Sequence, residues 1–148
     1  IKKSSNLEIG QKIGNIQNSS LGKIEKNNDY GVFGTVGSLS KNNVYQTASQ
    51  EEIKTGDAYF LTVLKNNEIK KCKIRIDQII KQDQPAEKGI HFTLIDQDVI
   101  DLTNGIIQGM SGSPIIQNNK LIGCITHASS QNNLQGYGMF IQWMINNS

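Results

Sequence analysis

The chain has 148 residues, enough for one domain with one hydrophobic core but not for a second full domain. Its net charge of +2 arises from 15 basic and 13 acidic residues, and neither sign forms the long blocks that are typical of nucleic-acid-binding arms. No nucleic-acid partner is therefore indicated. Apolar residues make up 36% of the chain and stand in short runs between Gly, Asn-Asn and Asp, which favours short strands over long helices.

The apolar runs, the first residues and the two cysteines limit the possible classes of protein further. No run reaches the roughly 18 apolar residues of a membrane span, and residues 1–6 lack the long apolar stretch of a signal peptide. Because the chain does not begin with Met, we expect it to be a cut or trimmed form. Cys72 and Cys124 lack the spacing of zinc ligands, so buried free thiols are expected, with a disulfide between them as the alternative.

The first half of the chain predicts three strands. Residues 30–36 are aromatic and β-branched with interleaved glycines, which is typical of a bulged or tightly curved barrel strand. Residues 57–64 and 68–77 flank Asn66-Asn67, and a two-residue turn between β-prone runs indicates a hairpin. In its second strand Cys72, Ile74 and Ile76 alternate with charged residues, so we expect these three side chains to face the core.

The second half adds three strands and a terminal helix. Residues 89–95, 113–117 and 120–127 are predicted strands, the last two joined as a hairpin across Asn118-Asn119. From Phe140 to Ile145 the apolar residues are too dense for alternation and favour a short helix. The predicted fold class is all-β, a barrel with a short C-terminal helix.

The chemistry concentrates in residues 103–114, a glycine-rich turn that enters a strand and contains Gly109-Met110-Ser111-Gly112. Acyl transfer needs an exposed hydroxyl on a sharp turn whose backbone N–H groups face the developing oxyanion, and small neighbours permit that approach. This predicts Ser111 as a nucleophile, with an oxyanion hole formed at Gly109 and Ser111. The alternative is a tight β-turn with a surface serine.

The order Gly-x-Ser-Gly-x-Pro in residues 109–114 resembles the nucleophile loop of trypsin-like peptidases. Residues 121–126 resemble the strand that lines their primary specificity pocket, and residues 137–144 resemble their closing strand and C-terminal helix. The resemblance implies a chymotrypsin-like β-barrel, here an incomplete form of the two-barrel fold, and a serine endopeptidase.

Residues 96–118, Thr126-His127 and Gly136-Tyr137-Gly138 more closely resemble the sporulation peptidase family typified by stage IV sporulation protein B, and the likeness extends from about Gly22 to the C-terminus. The resemblance implies secretion from the developing spore into the intermembrane space, with a membrane anchor and a peptide-binding domain preceding the peptidase. Members of the family signal by cleaving a membrane-associated regulatory protein. The resemblance therefore implies a protein substrate of this kind. It implies no cofactor or metal.

The family uses a His, an Asp and a Ser, and two of them carry over. Ser111 matches the nucleophile, and Asp96 matches the acidic member that orients the histidine. Asp98 and Asp101 are nearby competitors for that role. The alternative for Asp96 is a turn-forming aspartate at the end of the preceding strand.

The family's histidine follows two glycines in Gly-x-x-Gly-His, and this chain has Ser38 in the last place of its nearest match, residues 34–38. We favour a missing upstream segment that carries the histidine, so that the fragment is inactive alone and its own N-terminal segment is a partner. The alternative is a catalytically inactive homologue that binds peptides or proteins, with Ser38 in place of the histidine.

The two histidines of this chain are candidates for the base. His91 alternates with apolar neighbours on a strand and is expected to face solvent or a rim. His127 follows Ile125 and Thr126, and these three residues are expected to bind an extended substrate by strand addition, with structural hydrogen bonding and general-base catalysis as alternatives for His127.

Overall fold

The computed structural model describes residues 11–14, 19–37 and 44–148. Ser38 lies outside these ranges, so its proposed replacement of a histidine stays a prediction. The strands are β1 Gly22–Asn28, β2 Gly31–Val36, β3 Gln46–Thr47, β4 Gly56–Lys65, β5 Glu68–Ile79, β6 Ile90–Leu94, β7 Pro114–Gln117, β8 Lys120–Ala128 and β9 Gln135–Phe140. The helices are α1 Gln97–Thr103 and α2 Ile141–Asn146, and a 3-10 turn spans Gln50–Glu52.

Strands β4 to β9 form a closed barrel of 6 strands. Their order is β7-β4-β5-β6-β9, and β8 closes the sheet by pairing with both β7 and β9. Strand β3 pairs in parallel with the first two residues of β8, Lys120 and Leu121. The expected all-β barrel is therefore confirmed.

Both predicted hairpins are present and turn on asparagine pairs. Strands β4 and β5 pair antiparallel around Asn66 and Asn67, whose φ angles are 53° and 57°. Strands β7 and β8 pair around Asn118 and Asn119, at 49° and 60°. A two-residue turn with positive φ at both positions matches the right-handed twist of the strands it joins, and asparagine tolerates that region well.

The core lies inside the barrel, where β5 alternates as expected. Cys72 and Ile74 are 0% exposed, while the lysines between and beside them face solvent. Phe60, Phe92 and Phe140 fill the same interior from β4, β6 and β9. Cys72 and Cys124 are both buried and free, so the alternative of a disulfide between them is wrong in this structure.

The structure corrects the prediction for residues 30–36. The strand exists as β2, but it pairs only with β1 in a separate two-stranded sheet and takes no part in the barrel. The irregularity of this pair lies in β1, between Ile24 and Lys26. Gly34 allows β1 and β2 to lie close together, since a Cβ at this position would come 2.0 Å from the carbonyl oxygen of Lys23.

The tail forms α2 as expected, and α1 is a second short helix that the pattern did not predict. Only Val99 and Thr103 of α1 are buried, too few positions for a visible helical period. In α2, Ile141 and Trp143 face the core, and the indole N–H donates to the side chain of Gln82 at 2.9 Å. Across the described ranges, neither helix has the length and apolar character needed to cross a membrane.

Candidate active site

Ser111 stands on a tight turn between α1 and β7. Gly109 and Gly112 have φ angles of 93° and 81°, values that glycine adopts without steric cost. Between them the side chain of Met110 is fully buried and that of Ser111 is exposed. The turn therefore holds a hydroxyl at the surface on a backbone that is anchored in the core.

The backbone N–H groups of this turn divide into two sets. Those of Met110, Gly112 and Ser113 donate to the carbonyls of Ile107, Ile125 and Met110 at 3.2, 2.8 and 3.0 Å. Those of Gly109 and Ser111 donate to no acceptor within the part of the chain that the structure describes. Two free donors on either side of one residue are what an oxyanion hole requires.

The hydroxyl of Ser111 donates to the backbone carbonyl of Thr126, with 3.2 Å between the oxygens. Among residues 11–14, 19–37 and 44–148, no imidazole, carboxylate or amine forms a hydrogen bond with this hydroxyl. A general base must lie within about 3 Å of the serine oxygen, directly or through one water. The described residues thus supply the serine turn without a base in contact with it.

A cleft of about 340 Å³ opens beside Ser111. Its wall is formed by Ile106, Ile107, Gln108, Ser111, Ile125, Thr126, His127 and Ala128. The three residues predicted to bind substrate therefore share one cleft with the predicted nucleophile, although substrate contact itself stays a prediction. Apolar groups dominate the wall, as in most sites that accept an organic side chain.

Asp96 lies outside that wall and caps α1. One carboxylate oxygen accepts from the N–H of Val99 at 3.3 Å, and the other accepts from the N–H of Lys73 at 3.1 Å. The ammonium of Lys70 lies 3.9 Å from the first oxygen. The structure thus gives Asp96 the role of a helix cap, close to the turn-forming alternative, while its role in orienting a histidine stays a prediction.

The two competing aspartates are engaged elsewhere on α1. Asp98 lies 3.6 Å from the ammonium of Lys70, and its side chain is 87% exposed. Asp101 accepts from the side-chain amide of Gln97 at 2.7 Å. Neither carboxylate belongs to the cleft wall.

His91 lies on the outer side of the barrel, between the buried side chains of Ile90 and Phe92. Its Nδ1 is 3.9 Å from the carboxylate of Asp77, and its ring lies 5.0 Å from the ring of Tyr137. Desolvation raises the pKa of Asp77, but the hydrogen bonds from Thr93 and Arg75 and the nearby positive charge together hold it below its ordinary value. His91 therefore belongs to a polar cluster apart from the cleft wall.

His127 lies in the cleft wall on β8. Its Nε2 is 3.6 Å from the carboxylate of Glu87, and its Nδ1 is buried without a hydrogen-bond partner among the described residues. Its Nε2 lies near a carboxylate, and among the described residues neither ring nitrogen is hydrogen-bonded to the serine hydroxyl, which favours the wall or structural role over the general-base role. Glu87 was not predicted, because a lone glutamate in a loop carries no local signal.

Four further wall residues were not singled out in the sequence: Ile106, Ile107, Gln108 and Ala128. Ile106 and Ile107 precede the serine turn and are each 2% exposed. A pair of isoleucines within the glycine-rich segment is the only local signal for them. Nothing in the local pattern indicates the contact of Lys12, whose N–H donates to the carbonyl of Gln108 at 2.9 Å.

Comparison with known proteins identifies the family and a similar fold. The family model described as SpoIVB peptidase S55 matches residues 1–145. The active form of the Rv3671c protease from M. tuberculosis has a similar structure, with a TM-score of 0.62 and 18% sequence identity, over 84% of this chain and 55% of that chain. At that identity the likeness shows the fold alone, and this chain spans about half the length of that protease. No curated protein sequence matches the chain.

Proposed function

The chain belongs to the SpoIVB peptidase S55 family, and we propose that it acts as a serine peptidase in which Ser111 is the nucleophile that cleaves a regulatory protein during sporulation signalling. The observation that carries this proposal is the pair of N–H groups at Gly109 and Ser111 that donate to no acceptor among the described residues, beside an exposed hydroxyl in a cleft. No other residue of the turn combines these features.

The proposed chemistry follows from this arrangement. The Ser111 oxygen attacks the carbonyl carbon of the scissile peptide while its proton passes to a base, and negative charge develops on the carbonyl oxygen. The N–H groups of Gly109 and Ser111 stabilise that charge at little reorganisation cost, since the turn already holds them. The base then gives the proton to the leaving amine, and water hydrolyses the acyl-serine.

We assign the base to a histidine on a segment upstream of this chain. That segment would be a partner of the chain. The family pattern supports Asp96 as the residue that orients this imidazole. Each carboxylate oxygen has a second lone pair, so the two backbone N–H groups do not exhaust its capacity as an acceptor. On this proposal the isolated chain does not hydrolyse peptides.

The protein substrate is proposed to bind as an added strand along residues 125–127 at the end of β8, where Ile125 contributes its side chain because its own N–H and carbonyl are bonded to Ser113 and Gly112. Ile106, Ile107 and Ile125 form the apolar part of the cleft wall and favour an uncharged substrate side chain beside the scissile bond. The family supports a membrane-associated regulatory protein as the target, and the space between the membranes of the developing spore as the location.

A second candidate is a peptide-binding homologue without turnover, which the lack of a base in contact with Ser111 among the described residues favours. A fluorophosphonate probe separates the two on the full-length protein. Labelling that is lost in Ser111→Ala supports the peptidase. Binding of an extended peptide to unlabelled full-length protein would support the homologue instead.

A further inference from the structure

The segment around Lys12 contacts the serine turn through the backbone. The N–H of Lys12 donates to the carbonyl of Gln108 at 2.9 Å, and Gln11 and Gln108 form a parallel bridge. The peptide unit that carries this carbonyl also carries the N–H of Gly109. Lys12 therefore acts on the same rigid plane as one of the two free donors.

Because the peptide unit is planar, the hydrogen bond from Lys12 to the carbonyl of Gln108 also fixes the direction of the Gly109 N–H. In a trans peptide the carbonyl and the following N–H point in opposite directions, and the described residues contain no cis peptide. Because the carbonyl of Gln108 points toward Lys12, the N–H of Gly109 points away from it. Gly109 has few steric limits on its backbone, so the plane could otherwise rotate and carry this donor elsewhere.

Lys12 is itself fixed to the barrel. Its ammonium donates to the hydroxyl of Thr62 at 2.9 Å, and Thr62 is a buried residue of β4. Its side chain also packs on the turn, since a Cβ at position 109 would come 2.9 Å from the Cβ of Lys12. The residue thus spans from the barrel wall to the turn that carries the free donors.

We propose that Lys12 is a positioning residue that holds the N–H of Gly109 in the orientation needed for the oxyanion, and that its backbone N–H does so. The ammonium is occupied by Thr62 and serves as an anchor. This inference rests on the proposed function, because the orientation of the Gly109 N–H matters for catalysis only if that N–H stabilises the oxyanion. Losing one oxyanion donor lowers kcat by about 10² to 10³.

The test compares three variants in the full-length enzyme. Lys12→Pro removes the N–H, Lys12→Met keeps the N–H and removes the ammonium, and Ile13→Pro places a proline beside it while the N–H of Lys12 remains. Ile13 is a fair control because its side chain is 69% exposed. We expect Lys12→Pro to lower kcat by about 10² to 10³ with little change in KM. Ile13→Pro should retain the parent rate, and Lys12→Met should lose much less than Lys12→Pro.

A second measurement does not depend on activity. Residual dipolar couplings of the Gly109 N–H report its orientation, and dispersed signals from β4 and β5 verify that each variant is folded. We expect a changed Gly109 coupling in Lys12→Pro and the parent value in Ile13→Pro. An unchanged coupling in folded Lys12→Pro, or equal loss of kcat in Lys12→Met, would overturn the inference. A parent enzyme that fluorophosphonate does not label would instead contradict the proposed function, and the couplings would still decide the role of Lys12.

Discussion

The hydroxyl of Ser111 is hydrogen-bonded to the carbonyl of Thr126, so the serine turn is tied directly to the strand proposed to bind substrate. Two more backbone bonds connect the same segments, from Gly112 to the carbonyl of Ile125 and from Ile125 to the carbonyl of Ser113. This relationship sets the distance between the nucleophile and a peptide added along β8. A base that takes the serine proton must compete with the Thr126 carbonyl.

Ser111→Ala should abolish peptide hydrolysis and fluorophosphonate labelling without unfolding the protein. The side chain is exposed and makes one hydrogen bond, so the free energy of unfolding should change by no more than about 1 kcal/mol. Kinetics and urea denaturation of the full-length enzyme check both parts. Ser113→Ala is the matched control and should retain activity. Cleavage by Ser111→Ala at the parent rate would show that Ser111 is not the nucleophile.

Asp96→Asn should lower turnover by about 10³ to 10⁴ if Asp96 orients the upstream histidine. Asparagine keeps one acceptor oxygen, which can still cap α1 through Val99, but its NH2 group cannot accept from the N–H of Lys73, so the free energy of unfolding should fall by about 1–3 kcal/mol. Substrate binding should change much less than turnover. The kcat and KM of the full-length enzyme measure this difference. A parent-like rate in Asp96→Asn together with a large loss in Asp101→Asn would transfer the role to Asp101.

The isolated 148-residue chain should not react with a fluorophosphonate, because a serine hydroxyl without a base remains protonated at neutral pH. Adding the upstream histidine-bearing segment, in the same chain or as a separate fragment, should restore labelling of Ser111. His127→Ala should not prevent that restoration. Strong labelling of the isolated chain that disappears in His127→Ala would place the base within these residues.

Gly109→Ala should destabilise the fold more than Gly112→Ala. Both glycines have positive φ, which costs an alanine about 1–2 kcal/mol. A Cβ at position 109 would also meet Lys12 at 2.9 Å, whereas a Cβ at position 112 meets nothing within 4 Å. Urea denaturation of the two variants gives the difference in the free energy of unfolding. Equal losses would mean that Lys12 does not pack on the turn.

The two thiols should resist alkylation in the folded protein. Burial raises the pKa of Cys72 to about 12 and that of Cys124 to about 11, so the reactive thiolate of both is scarce at pH 8, and at pH 10 it remains scarce for Cys72 only. Unfolded thiols ionise near 9.0, so their ionisation should lower the free energy of unfolding as the pH rises above about 9. Iodoacetamide labelling with and without denaturant checks the first expectation. Rapid native labelling of Cys72 would contradict its burial.

The sequence alone determined those features that depend on neighbours along the chain. The hairpin of β4 and β5 follows from a turn of two asparagines between β-prone runs, and the burial of Cys72 follows from a period of two. The turn at Ser111 could also be predicted, since Gly109 and Gly112 on either side of the serine are typical of a tight turn. These features depend on residues that are neighbours in sequence, so a local pattern can predict them.

Only the tertiary structure decided what the same residues contact. Asp96 has the pattern of a catalytic aspartate and of a helix cap, and its bonds to Lys73 and Val99 arise because α1 begins beside β5. The hydrogen bond from Lys12 to Gln108 joins residues that are distant in sequence, through backbone atoms that every residue has. Side-chain pattern cannot record such a bond, because the bond depends on where the chain passes and not on which side chains it carries.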